Sequence, residues 1–162
     1  MFKQSCVTTQ KGTASPRYEA LLQLLRTAET VWNASRAFFA KWDLSPSQFN
    51  VINVLRNQPG GRTQIELSRL LIMHRSNITG LVDRLEERKL VKRTDSATDR
   101  RAYLVTLTPA AQALLEEILP QYYHAAETIW GSFPVRRTEQ LADDLARLAA
   151  NVEAFTQQST TT

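Results

Sequence analysis

Residues 75–107 read RSNITGLVDRLEERKLVKRTDSATDRRAYLVTL, and this stretch decides how the chain is understood. Its period changes midway. Ile78, Leu81, Val82 and Leu85 recur at i, i+3, i+4 and i+7, the apolar stripe of one helix. Beyond it the helical period is lost. Residues 90–94 are short and extended in character, and residues 102–107, Ala-Tyr-Leu-Val-Thr-Leu, are rich in β-formers. The polar run 95–101 lies between them. The pattern predicts a helix followed directly by a β-hairpin, a wing.

Upstream of this stretch, Thr63-Gln64-Ile65-Glu66 is a capping box that opens a short helix through Leu67, Leu70 and Leu71. Only a few residues near Met73 and His74 separate it from the helix at Arg75. Two short helices joined by a tight turn are the helix-turn-helix pattern. Upstream, Ser45-Pro46-Ser47-Gln48 is a second capping box with proline in the first turn. Phe49, Ile52, Val54 and Leu55 give that helix its buried side, and Pro59-Gly60-Gly61 ends it. A first helix starts at Ser15-Pro16 and carries Leu21, Leu22, Leu24, Leu25, Ala28, Val31 and Trp32 toward Lys41.

Downstream, Thr108-Pro109 opens a long helix with Leu114, Leu115, Ile118 and Leu119. Pro120 predicts a kink or break inside it. Tyr122, Tyr123 and Ile129 resume the pattern. After Gly131 and Pro134, a last helix carries Leu141, Leu145, Leu148, Val152 and Phe155 at alternating steps of four and three, an a/d seam over roughly two heptads. That seam can pack within its own chain or against a second copy. The expected fold class is mainly α with a small β-hairpin wing.

Charge narrows the function. The net charge of +4 permits a polyanionic partner without demanding one, so distribution matters more. Arg84, Arg88, Lys89, Lys92, Arg93, Arg100 and Arg101 crowd one stretch, diluted by Glu86, Glu87, Asp95 and Asp99. On the helix at Arg75, the side opposite the apolar stripe presents Arg75, Ser76, Asn77, Thr79, Gly80, Asp83 and Arg84. In helix-turn-helix docking the first turns of such a helix enter the major groove of duplex DNA. Ser, Asn and Thr bond base edges or phosphates there, Arg bonds guanine with two hydrogen bonds, and Gly80 leaves room for close approach. Alone, the same face reads equally as a solvated helix surface. Asp99-Arg100-Arg101 at the hairpin tip weighs against that. Arginine in a narrow minor groove reads DNA shape, and Asp99 is suited to orienting one.

With these residues in place, the chain resembles the MarR family of bacterial regulators. The resemblance runs from Leu44-Ser-Pro-Ser-Gln-Phe-Asn-Val-Ile to Gly131. It includes the helix Arg75-Ser-Asn-Ile-Thr-Gly-Leu-Val-Asp-Arg-Leu-Glu and the wing Thr98-Asp-Arg-Arg-Ala-Tyr-Leu-Val-Thr-Leu-Thr-Pro. Asp99 and Arg101 are its most specific part. Lys89 stands where the family often has glycine at the helix end. The resemblance implies an obligate homodimer, a recognition helix in the major groove and Arg101 reaching the minor groove. It divides the chain into a tail at 1–15, one unit at 16–156 and a tail at 157–162. Within the unit, the winged helix-turn-helix spans about 44–108, and dimerisation helices span about 16–41 and 109–156. It also implies a small aromatic effector between the dimer helices and the DNA lobe. Trp32, Phe38, Phe39, Trp42 and Phe49 are the candidates to line such a pocket, against the plainer reading that they are core aromatics.

The expected function is a sequence-specific DNA-binding transcriptional regulator. It would act as a repressor on a pseudo-palindromic operator and be released by a small molecule. The alternatives are a winged-helix protein-interaction module and an activator. No catalytic constellation, phosphate-cradling glycine loop or metal motif is visible, so neither an enzyme nor a cofactor is expected. His74 and His124 lack metal-ligand spacing to each other or to Cys6. Cys6 is the only cysteine, so no intrachain disulfide is possible. It lies before the first helix, outside the position at which some relatives sense oxidants. The polar N-terminus lacks the apolar core of a secretory signal and no run suits a bilayer, so the expected setting is cytoplasmic and reducing.

Overall fold

The computed structural model describes residues 15–71, 75–95 and 103–160, with backbone alone at 75, 76, 159 and 160. The chain divides into two compact units, Met1–Leu115 and Glu116–Thr162.

The first unit is assembled from locally capped helices. Helix α1, Pro16–Phe39, starts at Ser15, whose hydroxyl accepts the Arg17 N–H at 3.3 Å. A 3-10 turn, Ala40–Trp42, and a left-handed Asp43 (φ 53°) end it, and Leu44 N–H closes back on the Phe39 carbonyl at 3.2 Å. Helix α2, Pro46–Arg56, carries the expected capping box: Gln48 N–H donates to Ser45 Oγ at 3.1 Å and Ser45 N–H to Gln48 Oε1 at 2.8 Å. Helix α3, Gln64–Leu70, carries the other. Glu66 N–H donates to Thr63 Oγ1 at 3.2 Å, and Thr63 N–H to Glu66 Oε2 at 2.7 Å. Helix α4 spans Arg75–Glu87.

Strands β2, Val91–Asp95, and β3, Tyr103–Leu107, pair antiparallel with Arg93 opposite Val105. A third strand, β1, Arg62–Thr63, pairs with the other side of β3, giving the order β1-β3-β2. Two residues carry no readable period, so only the pairing reveals β1. Its neighbour Gly61 (φ 75°) must be glycine. A Cβ there would lie 2.6 Å from Thr106 Cγ2 and 2.8 Å from the Val105 carbonyl oxygen.

The core gathers Phe49, Ile52 and Leu55 of α2, Leu67 of α3, Ile78, Val82 and Leu85 of α4, and Val91 and Val105 of the hairpin, all fully or almost fully buried. Phe39 stacks on Phe49 with ring centroids 4.3 Å apart. Val51 fills the buried place expected of Val54, which is only half-buried, because α2 turns its 51–52–55 edge inward.

Helix α5, Pro109–Trp130, continues through Pro120 without a break. The proline removes a single N–H, and buried Ile118 and Leu119 sit immediately before it. In the second unit, α6, Val135–Thr160, runs past Phe155 and takes in residues 157–160 of the expected tail at 157–162. No helix among the described residues is long and apolar enough to cross a membrane.

Candidate nucleic-acid interface

Burial of Ile78, Val82 and Leu85 fixes the rotation of α4 about its axis. The opposite arc is therefore determined as well. Asn77, Thr79, Asp83 and Arg84 are exposed on it, and Gly80 is half-exposed. A Cβ on Gly80 would meet no described atom within 4 Å, so nothing among the described residues requires glycine there. Arg75 and Ser76 occupy the first turn of α4 as backbone, and their side chains lie outside the described residues. The Thr79 hydroxyl donates to Gln64 Oε1 at 3.0 Å, which ties the middle of α4 to the start of α3.

The end of α4 makes three sets of contacts. Lys89 N–H bonds the Glu86 carbonyl at 2.8 Å and Leu90 N–H the Leu85 carbonyl at 2.9 Å, a Schellman closure that puts Lys89 in the left-handed region (φ 59°). Arg88 reaches back across the fold and donates to the backbone carbonyls of Trp42, at 3.0 Å, and Asp43. Arg93 of β2 donates from its guanidinium to Asp83 and Glu86 of α4, and from its backbone N–H to Glu86 Oε1 at 3.0 Å. Burial opposes the Arg93 charge, but the hydrogen bonds to Asp83 and Glu86 outweigh it and hold its pKa above the ordinary arginine value.

The basic cluster therefore divides. Arg88 and Arg93 are committed to internal partners, a role that spacing alone does not reveal. Arg84, Lys89 and Lys92 are exposed and make no ion pair with any described residue. Asp99, Arg100 and Arg101, the expected wing tip, lie outside the described residues.

A cleft of about 460 Å³ opens in the same unit, lined by Trp32, Arg36, Ala40, Asp43, Leu44, Ser45, Pro46 and Gln48. It bears on the aromatic candidates unequally. Trp32 lines it, whereas Phe38, Trp42 and Phe49 do not. Phe49 is sealed against Phe39, and Phe38 packs edge-on to Phe39 and beside Trp42, with Lys41 Nζ 4.0 Å from the Trp42 ring centroid. Phe39 and Phe49 went to the core, the place their large apolar area favours, while Phe38 and Trp42 stay half-buried. Arg36 was not among the candidates, although its place one turn after Trp32 was a usable signal. His124 is exposed, and His74 lies outside the described residues. No group of metal-binding side chains occurs among the described residues.

Comparison with known proteins gives a consistent set of relatives. Residues 42–102 match the model of the MarR family. The HTH-type transcriptional regulator MhqR of Bacillus subtilis (strain 168) is 26% identical over 115 residues, which is 71% of this chain and 79% of MhqR. A probable transcriptional regulator from Pseudomonas aeruginosa is 31% identical, with a TM-score of 0.65, over 77% of this chain and 93% of that one. CouR from Rhodococcus jostii RHA1, solved bound to p-coumaroyl-CoA, is 26% identical, with a TM-score of 0.76, over 85% of this chain and 96% of that one.

Proposed function

The chain belongs to the MarR family, and on that premise we propose that it is a sequence-specific DNA-binding transcriptional regulator. It acts as a homodimer on a pseudo-palindromic operator. The observation that carries this reading is the polar arc of α4. Three buried residues fix the rotation of the helix, leaving Asn77 and Arg84 exposed and Gly80 half-exposed. Arg75, Ser76, Asn77, Thr79, Gly80 and Arg84 make the major-groove surface, and Asp99, Arg100 and Arg101 make the wing contact.

The dimer is supported by apolar surface left uncovered. Helix α6 buries no described residue, and Leu141, Leu145 and Leu148 are each 37–40% exposed along one seam. Helix α1 exposes Leu21, Leu25, Val31 and Trp32 in the same way. Faces of this kind are covered in a two-fold dimer, which also supplies a second recognition helix for the second half-site. Repression by occlusion asks only for such a positioned dimer, and we assign the protein that role. The cleft beside Trp32 and Arg36 takes a small aromatic acid, with the ring against the indole and the carboxylate on the guanidinium.

The test is selection of bound fragments from genomic DNA, followed by mobility shifts at two salt concentrations. Affinity should fall steeply with salt. Arg101→Ala should weaken binding with the fold intact, and Asn77→Ala should change base preference. A chain that binds no duplex in a salt-dependent way is not a regulator of this kind and fits a protein-interaction module instead. Transcription that rises on operator binding would make it an activator.

A further inference from the structure

Arg93 raises a question that neither the fold nor the groove contacts answer. It sits on the inward-facing side of β2, in phase with buried Val91, where a valine or isoleucine would pack. Strand β2 and α4 pack together, and Val91 and Leu85, both at most 2% exposed, already supply buried apolar area on the two elements. Half-exposed ion pairs add little to such packing, and a well-packed apolar side chain would serve at least as well. What Arg93 does and an apolar residue cannot is cancel charge.

The charges it cancels are placed awkwardly. Asp83 lies on the outward arc of α4, four residues after Thr79 and three after Gly80, so it shares the face proposed to meet phosphates. Its side chain is 51% exposed and that of Glu86 39%. Left bare, the two carboxylates would confront a polyanion.

We propose that Arg93 is a positioning residue for DNA binding that acts through Asp83 and Glu86, masking their charge and holding them back so that α4 can lie against phosphates. This rests on the DNA-binding reading above. The masking is independent of DNA sequence, so its loss should weaken all duplexes alike, whereas loss of a base contact should not.

The experiment uses the full chain and two duplexes of equal length, one selected from genomic DNA and one of random sequence. Affinities are measured at several salt concentrations, with urea unfolding of each variant alongside. Arg93→Ala should weaken both duplexes by about tenfold or more. Adding Asp83→Asn and Glu86→Gln to Arg93→Ala should restore most of that loss. Asp83→Asn alone, which keeps the bond to Glu86, should tighten both duplexes by about threefold. If the triple variant stays as weak as Arg93→Ala, or if Asp83→Asn alone weakens binding, the triad acts by holding the hairpin and the proposal is wrong. If the unaltered chain binds neither duplex, the regulator reading itself fails, and the masking role falls with it.

Discussion

Lys89 occupies a backbone position that favours glycine. Its φ of 59° costs a side-chain-bearing residue about 1–2 kcal/mol, and the Schellman closure of α4 requires it. Lys89→Gly should therefore raise stability by about 0.5–1 kcal/mol, after the greater freedom of glycine in the unfolded chain is allowed for. The Lys89 carbonyl, which accepts from Thr108 Oγ1 at 2.7 Å, is unaffected. Urea unfolding checks this, and an unchanged or lower midpoint would refute it. Glu66 shows a second local effect. The Thr63 backbone N–H, and then its hydroxyl, hold the Glu66 carboxyl below its ordinary value of 4.5. The stability it contributes is complete above 4.5 and is lost as pH falls through the lower folded-state value. Glu66→Gln keeps the capping geometry without the charge. The advantage of the unaltered chain over this variant should be present near pH 7 and shrink below 4.5, read from urea midpoints across that range. A gap independent of pH would count against the assignment.

At the scale of the element, α4 serves two demands that conflict. Stability favours alanine over Gly80 by about 1 kcal/mol in a helix interior, and the structure leaves room for the methyl group. Close approach to a groove favours glycine. Gly80→Ala should therefore raise the melting temperature of the free chain while weakening operator binding. If affinity is retained, the backbone at Gly80 is not a point of close approach. The same helix shows how far local pattern reaches. Its buried stripe was legible because Ile78, Val82 and Leu85 repeat at 3.6 residues per turn, which sets both the burial and the outward arc. The partners of its charged residues were not legible. Arg88 meets carbonyls 45 and 46 residues earlier, and Arg93 meets carboxylates on a different element.

At the scale of the whole molecule, the proposed dimer rests on the apolar surface of α6. Covering the remaining exposed part of each of Leu141, Leu145 and Leu148 is worth about 1 kcal/mol per leucine. Leu145→Lys removes that gain and leaves a desolvated ammonium in the seam. Sedimentation equilibrium should show the dimer dissociation constant raised at least tenfold, with operator affinity falling in parallel. A variant that remains fully dimeric would place the interface elsewhere.

The helices, their starts and the hairpin were legible in the amino-acid sequence. Those features depend on contacts within a few residues: Ser45 with Gln48, Thr63 with Glu66, the stripe from Ile78 to Leu85, and the β-rich run before Thr108. It also marked one polar helix face beside a basic stretch as the surface to test against DNA. Only the tertiary structure decided that the basic stretch divides into internal clamps and outward charges. Only it added β1 to the sheet, sent Phe38, Trp42 and Phe49 away from the cleft, and put Arg36 beside Trp32 in its wall. The physical reason is distance along the chain. Caps and stripes form between near neighbours and leave a period, whereas pairing partners and cavity walls come from residues far apart in sequence, where no period records them.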